Sequence, residues 1–315
     1  MLEVETLKNH PETMWCRLKR KYTHDEKIDW PGSIAFIGVH LIGVAAFLTG
    51  FSWTAVIFCL FMYYARMFAI TGAYHRYFSH RSYKTSRFFQ FILAFWGASC
   101  GQQGPLWWAA HHRHHHKFSD TEEDIHSPRL RGLWWAHVGW ILCKRYQDTH
   151  EEAVKDLTKY PELRWINKYH GVAPFVLAGS IFLLGSFLHH AAPALHTNGI
   201  QLLSWGFFTS TTLLYHGTFC INSLSHLIGN KRFDTGDDSR NSFILSIITM
   251  GEGWHNNHHR FPYSERQGIY WWEIDPTHYI LKVFSWLGLV WDIQLHPKEF
   301  WTEAGGNLGR QKTAQ

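Results

Sequence analysis

Residues 53–80 read WTAVIFCLFMYYARMFAITGAYHRYFSH. The first nineteen, Trp53–Thr71, are apolar apart from Arg66 and come close to the ~20 residues a helix needs to cross a bilayer. The last six, HRYFSH, carry two histidines. The fold turns on whether this pairing of apolar chain with dense imidazole recurs.

It does recur. Three more apolar stretches of similar length run through Ser33–Phe51, Val172–Leu188 and Ile200–Ile221. The mean hydropathy of −0.22 hides this segregation. Arg66 is the only Lys or Arg in the four stretches and lies late enough in its own to snorkel toward the interface. Residues 1–32 carry six Lys/Arg, 72–171 fourteen and 222–315 nine, while the connectors TGFSW and HHAAPALHTNG carry none. The positive-inside rule therefore predicts four transmembrane helices in two hairpins, with both termini and the middle segment cytosolic. The net charge of +5 suits a cap resting on anionic headgroups, and no interleaving of basic and aromatic residues points to nucleic acid. GLWW, HVGW and YWWEI are expected at headgroup depth. Cys16, Cys59, Cys100, Cys143 and Cys220 form no CxxC pair, as in a reducing compartment. The N-terminal MLEVETLKNHPETMWCRLKRKY lacks the apolar core of a signal peptide.

The expected plan is an all-α integral membrane protein. A cytosolic segment (1–32) precedes hairpin 1 (33–71), a first part of a helical cap (72–171), hairpin 2 (172–221), a second part of the cap (222–305) and a disordered tail (306–315). FFQFILAFWGASCGQQ (88–103) and KVFSWLGLVWDI (282–293) read as interfacial helices.

Three knots of histidine fall on the cytosolic side: HRYFSH (75–80), HHRHHH (111–116) and HNNHH (255–259). Positions i, i+3 and i+4 share a helix face, so HxxHH gathers three imidazoles. His255, His258 and His259 fit that template. In the five-histidine run both His112/His115/His116 and His111/His114/His115 fit it. Asn222 and His226 in NSLSH stand four apart where the last span should leave the membrane. His75 and His80 are five apart, about 140° around an ideal helix, so the second span is expected to end between them. Isolated histidines such as His137, His170 and His278 read as structural or surface residues.

Imidazole is the commonest metal ligand, and nine exceed what one ion can take, so two metals are implied. Zinc would suit a hydrolase. Iron suits oxygen chemistry, which breaking C–H bonds along a lipid chain requires. EDIH (Glu123–His126) and EGWH (Glu252–His255) match the Glu-x-x-His of carboxylate-bridged bundles, but glycines flank Glu252 and the first pair sits in a loop-like SDTEEDIHSP.

HRYFSH, HxxHH followed by KFSD, NSLSH and GEGWHNNHH, with DIHSP, HVGW, DTGDDSRNS and WWEID, resemble the integral-membrane fatty acyl desaturases of the Δ9, stearoyl-CoA desaturase type, the bacterial and cyanobacterial branch above all. The likeness runs from about 35 to 292. It implies nine iron-ligating histidines, His75, His80, His112, His115, His116, His226, His255, His258 and His259, with Asn222 holding a metal-bound water. It also implies four spans beneath a helical cap, and a kinked acyl tunnel under two irons that use O2 as co-substrate. The product would be a cis double bond, at Δ9, in a long-chain acyl thioester. His111 stands where animal relatives carry an aspartate near the coenzyme A head. His111, Trp108, Arg129 and Arg131 are the candidate substrate contacts. Asp120, Asp124 and Glu252 are candidates to orient the ligand imidazoles. No fused cytochrome b5 domain is expected, so a separate donor (ferredoxin, rubredoxin or cytochrome b5 with its reductase) would supply electrons. A multi-pass place in the bacterial inner membrane is expected, or in the endoplasmic reticulum of a eukaryote. The rivals are a di-iron lipid hydroxylase or ketolase, a zinc-dependent membrane hydrolase, and a non-catalytic metal-storage or lipid-binding membrane protein.

Overall fold

The structure, a computed structural model, describes residues 26–297. Cys16 and the tail expected at 306–315 lie outside the described residues, as does nearly all of the 1–32 segment.

Helices form on all four apolar stretches. α1 (Ile34–Ala45) tightens into a 3₁₀ turn, Ala46–Thr49. α2 (Trp53–Phe68) begins where the Ser52 hydroxyl accepts from Ala55 N at 3.1 Å. α3 (Arg87–Ala98) and α4 (Pro105–Phe118) follow, the latter with Pro at its first position, where the missing N–H costs nothing. α5 spans Val172–Ala191. The fourth stretch is helical from Gly199–Leu203 through a wider Ser204–Thr209 turn into α6 (Ser210–Ser223). α7 (His255–Arg260) and α8 (Pro276–Trp286) complete the labelled set.

Among the described residues two helices are long and apolar enough to cross a membrane, Trp53–Ser79 and Val172–Ala191; Ile34–Thr49 is apolar but shorter. The run containing α6 is diluted by Ser204, Thr209, Ser210, Thr211 and Thr212. Only 17% of the apolar window of α5 is buried, so Phe175, Leu183 and Phe187 point outward, which suits lipid better than water. A side chain on Gly185 would lie 2.9 Å from the Cα of Gly199, so glycine there lets α5 and the start of the fourth helix touch backbone to backbone.

Arg66 does not snorkel. It is 1% exposed, and its guanidinium donates to Ser210 Oγ at 2.5 Å and Thr211 Oγ1 at 2.7 Å. The polar residues that dilute the fourth helix are thus its partners. The expected helix at 282–293 also stops early. α8 ends at Trp286, and Val290–Trp291 pairs antiparallel with Lys84–Thr85, a short departure from an all-helical plan.

Arg76 ties segments far apart in sequence together. Its guanidinium meets Asp275 at 2.9 Å and Glu252 at 3.2 Å and donates to the Glu265 carbonyl at 2.7 Å, all buried. Losing the guanidinium would deprive these buried carboxylates of their shared cation.

Candidate metal centre

The second apolar helix ends at Ser79, between His75 and His80 as expected, but its last stretch, Ala69–Ser79, is a π-helix, with His80 N donating to His75 O at 3.2 Å. A π-turn bonds residue i to i+5, so residues five apart share a face, which an α-helix denies them. The two rings lie 4.8 Å apart.

Nine histidines converge in two groups. One holds His75, His80, His112, His116 and His258, the other His115, His226, His255 and His259, with one donor atom from each residue within 4.8 Å of the rest of its group. Each HxxHH triplet is divided between them. On α4, His112 and His116, one turn apart, face the first group while His115 faces the second. On α7, His255 and His259 face the second while His258 faces the first. The groups abut, His116 and His259 being 4.5 Å apart by ring centroid.

Carboxylates stand behind the imidazoles. Glu252 meets His75 Nδ1 at 2.6 Å, Asp120 His226 Nδ1 at 2.8 Å, Asp124 His115 Nδ1 at 3.2 Å and Asp237 His259 Nδ1 at 2.5 Å. Asp237, itself held by Thr235 Oγ1 at 2.6 Å and Ser239 Oγ at 2.5 Å, escaped the sequence reading. Its acidic type inside DTGDDSRNS was the available signal, but nothing in that stretch shares a period with His259.

A carboxylate accepts only, so each of these four rings keeps its proton on Nδ1 and turns a bare Nε2 inward. The inward nitrogens crowd. His258 Nε2 lies 3.0 Å from His75 Nε2 and 2.9 Å from His116 Nε2, His80 and His112 meet at 2.7 Å, and His226 and His255 at 3.0 Å. His259 Nε2 is buried without any partner. Lone pairs facing one another in a dry interior are unfavourable unless a cation sits among them. A metal–imidazole bond of about 2.0–2.1 Å places ligands at right angles about 2.9 Å apart. The donor sets therefore fit metal ions, and a group of five imidazoles exceeds the four ligands zinc ordinarily takes.

Burial, then the neighbouring imidazoles, push His112, His116, His255 and His258 well below the usual histidine range, so they are neutral, the ligating form. His259 is held at about 4 by burial, which the Asp237 charge only partly offsets. His115 goes the other way: burial lowers it, but Asp124, with Asp120 and Asp237, together outweigh that burial. Asp120, Asp124 and Asp237 are held well below the carboxylate range; burial opposes this, and the facing histidines overcome it.

The other candidates divide. His111 gives Nδ1–H to the Trp107 carbonyl at 2.9 Å, and its Nε2 is buried without a partner. His114 bonds the Glu123 carbonyl at 2.9 Å in an exposed position. Glu123 thus contributes no carboxylate to either group, and Glu252 acts from behind His75, which leaves the carboxylate-bridged alternative without its bridges. A cavity of about 240 Å³ abuts the first group and is lined by Trp108, His111, His112, His126 and Asn222, with Phe36, Tyr215 and Phe219 among its apolar wall. Trp108 lies nearly flat against His112 at 5.1 Å. Arg129 and Arg131 do not line it. Arg129 pairs with Asp238 at 2.7 Å and Arg131 with Glu26. His126, which the sequence reading passed over, is buried beside His115 and Asp124.

Comparison with known proteins agrees with this chemistry. The fatty acid desaturase family profile matches residues 51–289. The chain is 35% identical to an acyl-CoA 5-desaturase of Anemone leveillei, over 82% of this chain and 77% of that protein. It is 33% identical to an sn-1 stearoyl-lipid 9-desaturase of Anabaena variabilis, over 87% and 96%. It is 30% identical to a chloroplastic palmitoyl-monogalactosyldiacylglycerol delta-7 desaturase of Arabidopsis thaliana, over 94% and 75%. The chain belongs to the fatty acid desaturase family, and with it to the oxidoreductases.

Proposed function

We propose that this protein is a di-iron, O2-dependent desaturase that introduces a cis double bond at Δ9 of a saturated long-chain acyl group. The observation that carries the reading is the pair of abutting imidazole groups beside a narrow, largely apolar cavity. Two irons held by the nine histidines would supply the oxygen activation that an unactivated C–H bond requires. The balanced change takes two hydrogens from adjacent methylenes and consumes O2, two electrons and two protons, giving the alkene and two waters. The electrons come from a separate carrier of the ferredoxin, rubredoxin or cytochrome b5 kind.

The protein's own groups do the rest. Glu252, Asp120, Asp124 and Asp237 fix the tautomers of four ligand rings and offset the charge of the metals. Asn222, which lines the same cavity as His112 and His126, would hold a water near the metals. Trp108 presents a flat wall against which a methylene pair can be held in one conformer, and positioning of this kind is worth several kcal/mol. We place the protein in a membrane as a multi-pass protein with a cytosolic cap, the bacterial inner membrane being the first choice.

The carrier of the acyl group has two readings. Acyl-CoA follows from the motif resemblance. An acyl lipid is favoured by one observation: the polar lining includes Asp29, Gln103, Gln147 and His170, with no Lys or Arg among the described lining residues. Expression in a host lacking unsaturated fatty acids, followed by fatty-acid profiling, tests the reaction. A cis-9 monoene supports the proposal; hydroxylated or keto products, or zinc without oxygen uptake, overturn it. Assays of stearoyl-CoA against stearoyl lipid then separate the carriers.

A further inference from the structure

Three histidines outside both donor groups form a chain of their own. His40 on α1 meets His216 on α6, Nε2 to Nε2, at 3.2 Å, and His216 Nδ1 meets His137 Nε2 at 3.0 Å. His137 comes from the π-turn Trp135–Gly139, so three separate elements are linked. At one end His40 Nδ1 lies 2.7 Å from the Phe36 carbonyl oxygen, and at the other His137 Nδ1 lies 2.9 Å from Ser223 Oγ.

The carbonyl end sets the direction of the links. A carbonyl only accepts, so His40 donates from Nδ1 and accepts at Nε2. His216 then donates from Nε2 and accepts at Nδ1, and His137 donates from Nε2, which leaves His137 Nδ1 to accept from the Ser223 hydroxyl. That hydroxyl also lies 2.8 Å from the Phe219 carbonyl oxygen, so its one hydrogen is shared between two acceptors. His216 alone uses both ring nitrogens on other histidines.

In front of this chain stands a stack of aromatic rings. Phe36 lies 5.4 Å from Tyr215 at 15°, and Tyr215 lies 5.7 Å from Phe219 at 14°, and all three line the cavity. Each imidazole touches the stack: His40 contacts Phe36 at 4.2 Å, while His216 and His137 contact Phe219 at 6.1 and 5.7 Å. An aromatic wall on separate elements slides unless something directional fixes it, and stacking alone tolerates offset.

We propose that the His40–His216–His137 chain is a specificity element of the cavity. By fixing where Phe36, Tyr215 and Phe219 stand, it determines which acyl chains fit and which methylene pair reaches the metals. His216 is its positioning residue. The inference rests on the desaturase reading for its substrate class.

The test uses full-length protein in detergent or nanodiscs, with His216→Phe, which keeps an aromatic ring but cuts both links, and His216→Asn, which retains a donor and an acceptor. The iron content of His216→Phe should match wild type. Its chain-length and double-bond distribution should broaden, its KM should rise about five-fold or more with kcat within two-fold, and His216→Asn should move both back toward wild type. Binding of radiolabelled stearoyl-CoA and stearoyl lipid to metal-depleted protein gives a second readout, expected to weaken in parallel. A folded, iron-replete His216→Phe with wild-type products and wild-type probe binding overturns the proposal. If that variant fails to fold, His40→Phe, which cuts one link at the chain's end, is judged by the same outcomes. Wild-type protein that binds the probe but makes no alkene would count against the desaturase reading instead, so the two failures are distinguishable.

Discussion

The Glu252 carboxylate meets His75 Nδ1 at 2.6 Å, with both side chains almost fully buried. Glu252 also takes a hydrogen bond from Gln267 Nε2 at 2.6 Å and faces the Arg76 guanidinium at 3.2 Å. The carboxylate is therefore immobile, and so is the ring it holds.

Glu252→Gln should loosen His75 and weaken the five-histidine group before the four-histidine one. Orienting partners of this kind are typically worth about 10–100-fold in metal affinity or activity. Iron per protein, followed during chelator titration, should show one ion leaving well before the other. Equal loss of both would refute the assignment.

The division of the five-histidine run makes a paired prediction. His115→Ala should abolish desaturation, leaving cellular lipids like those of cells with empty vector. His114→Ala, which removes only a bond to the Glu123 carbonyl, should leave monoene content within about two-fold, since exposed substitutions seldom matter. Fatty-acid profiles of the two strains, at matched expression, decide it.

The pH dependence of the metal-free protein has a definite sign. His112, His116, His255 and His258 titrate well below the unfolded value of about 6.5, so below that pH the unfolded chain binds more protons and stability falls. The one raised imidazole among the described residues, His115, acts oppositely: its contribution is present below about 6.5 and is lost as pH rises. Four outweigh one. Thermal unfolding of chelator-treated protein should show the melting temperature rising between pH 5 and 7.5, with a further fall near pH 4 and below as Asp120, Asp124 and Asp237 lose the stabilisation their lowered values confer. A flat profile would contradict this.

Arg66→Lys should destabilise the stem without touching the metals. An ammonium cannot span Ser210 and Thr211 as the guanidinium fork does, so one of the two charge-assisted hydrogen bonds would be lost, at about 1.5–3 kcal/mol. The expected signature is a lower melting temperature in detergent with unchanged iron content.

Much of this was legible in the primary structure, and the misses share a cause. The apolar stretches became helices because hydropathy is a property of single residues summed along the chain. Histidine density and the repeated HxxHH spacing pointed to the clusters, while the set of nine, and His112/His115/His116 over His111/His114/His115, came from the resemblance to the desaturase motifs. The helix end between His75 and His80 was legible, but the π-turn that brings the two rings together is a local geometry that residue spacing does not announce. Asp237 and the His40–His216–His137 chain were missed because each is a contact between segments far apart in sequence. Arg66 was misjudged because depth alone suggested an exit to the interface, whereas Ser210 and Thr211, well over a hundred residues away, already answered its charge.

His115 and His116 are neighbours on one backbone, as are His258 and His259, and in each pair one member serves each donor set. Consecutive Cα atoms stand 3.80 Å apart across a trans peptide, so two peptide bonds act as a pair of rulers between the two sets. The two donor sets cannot part far without unwinding α4 and α7, so the backbone itself limits their separation, and two ions held there would be spaced by it.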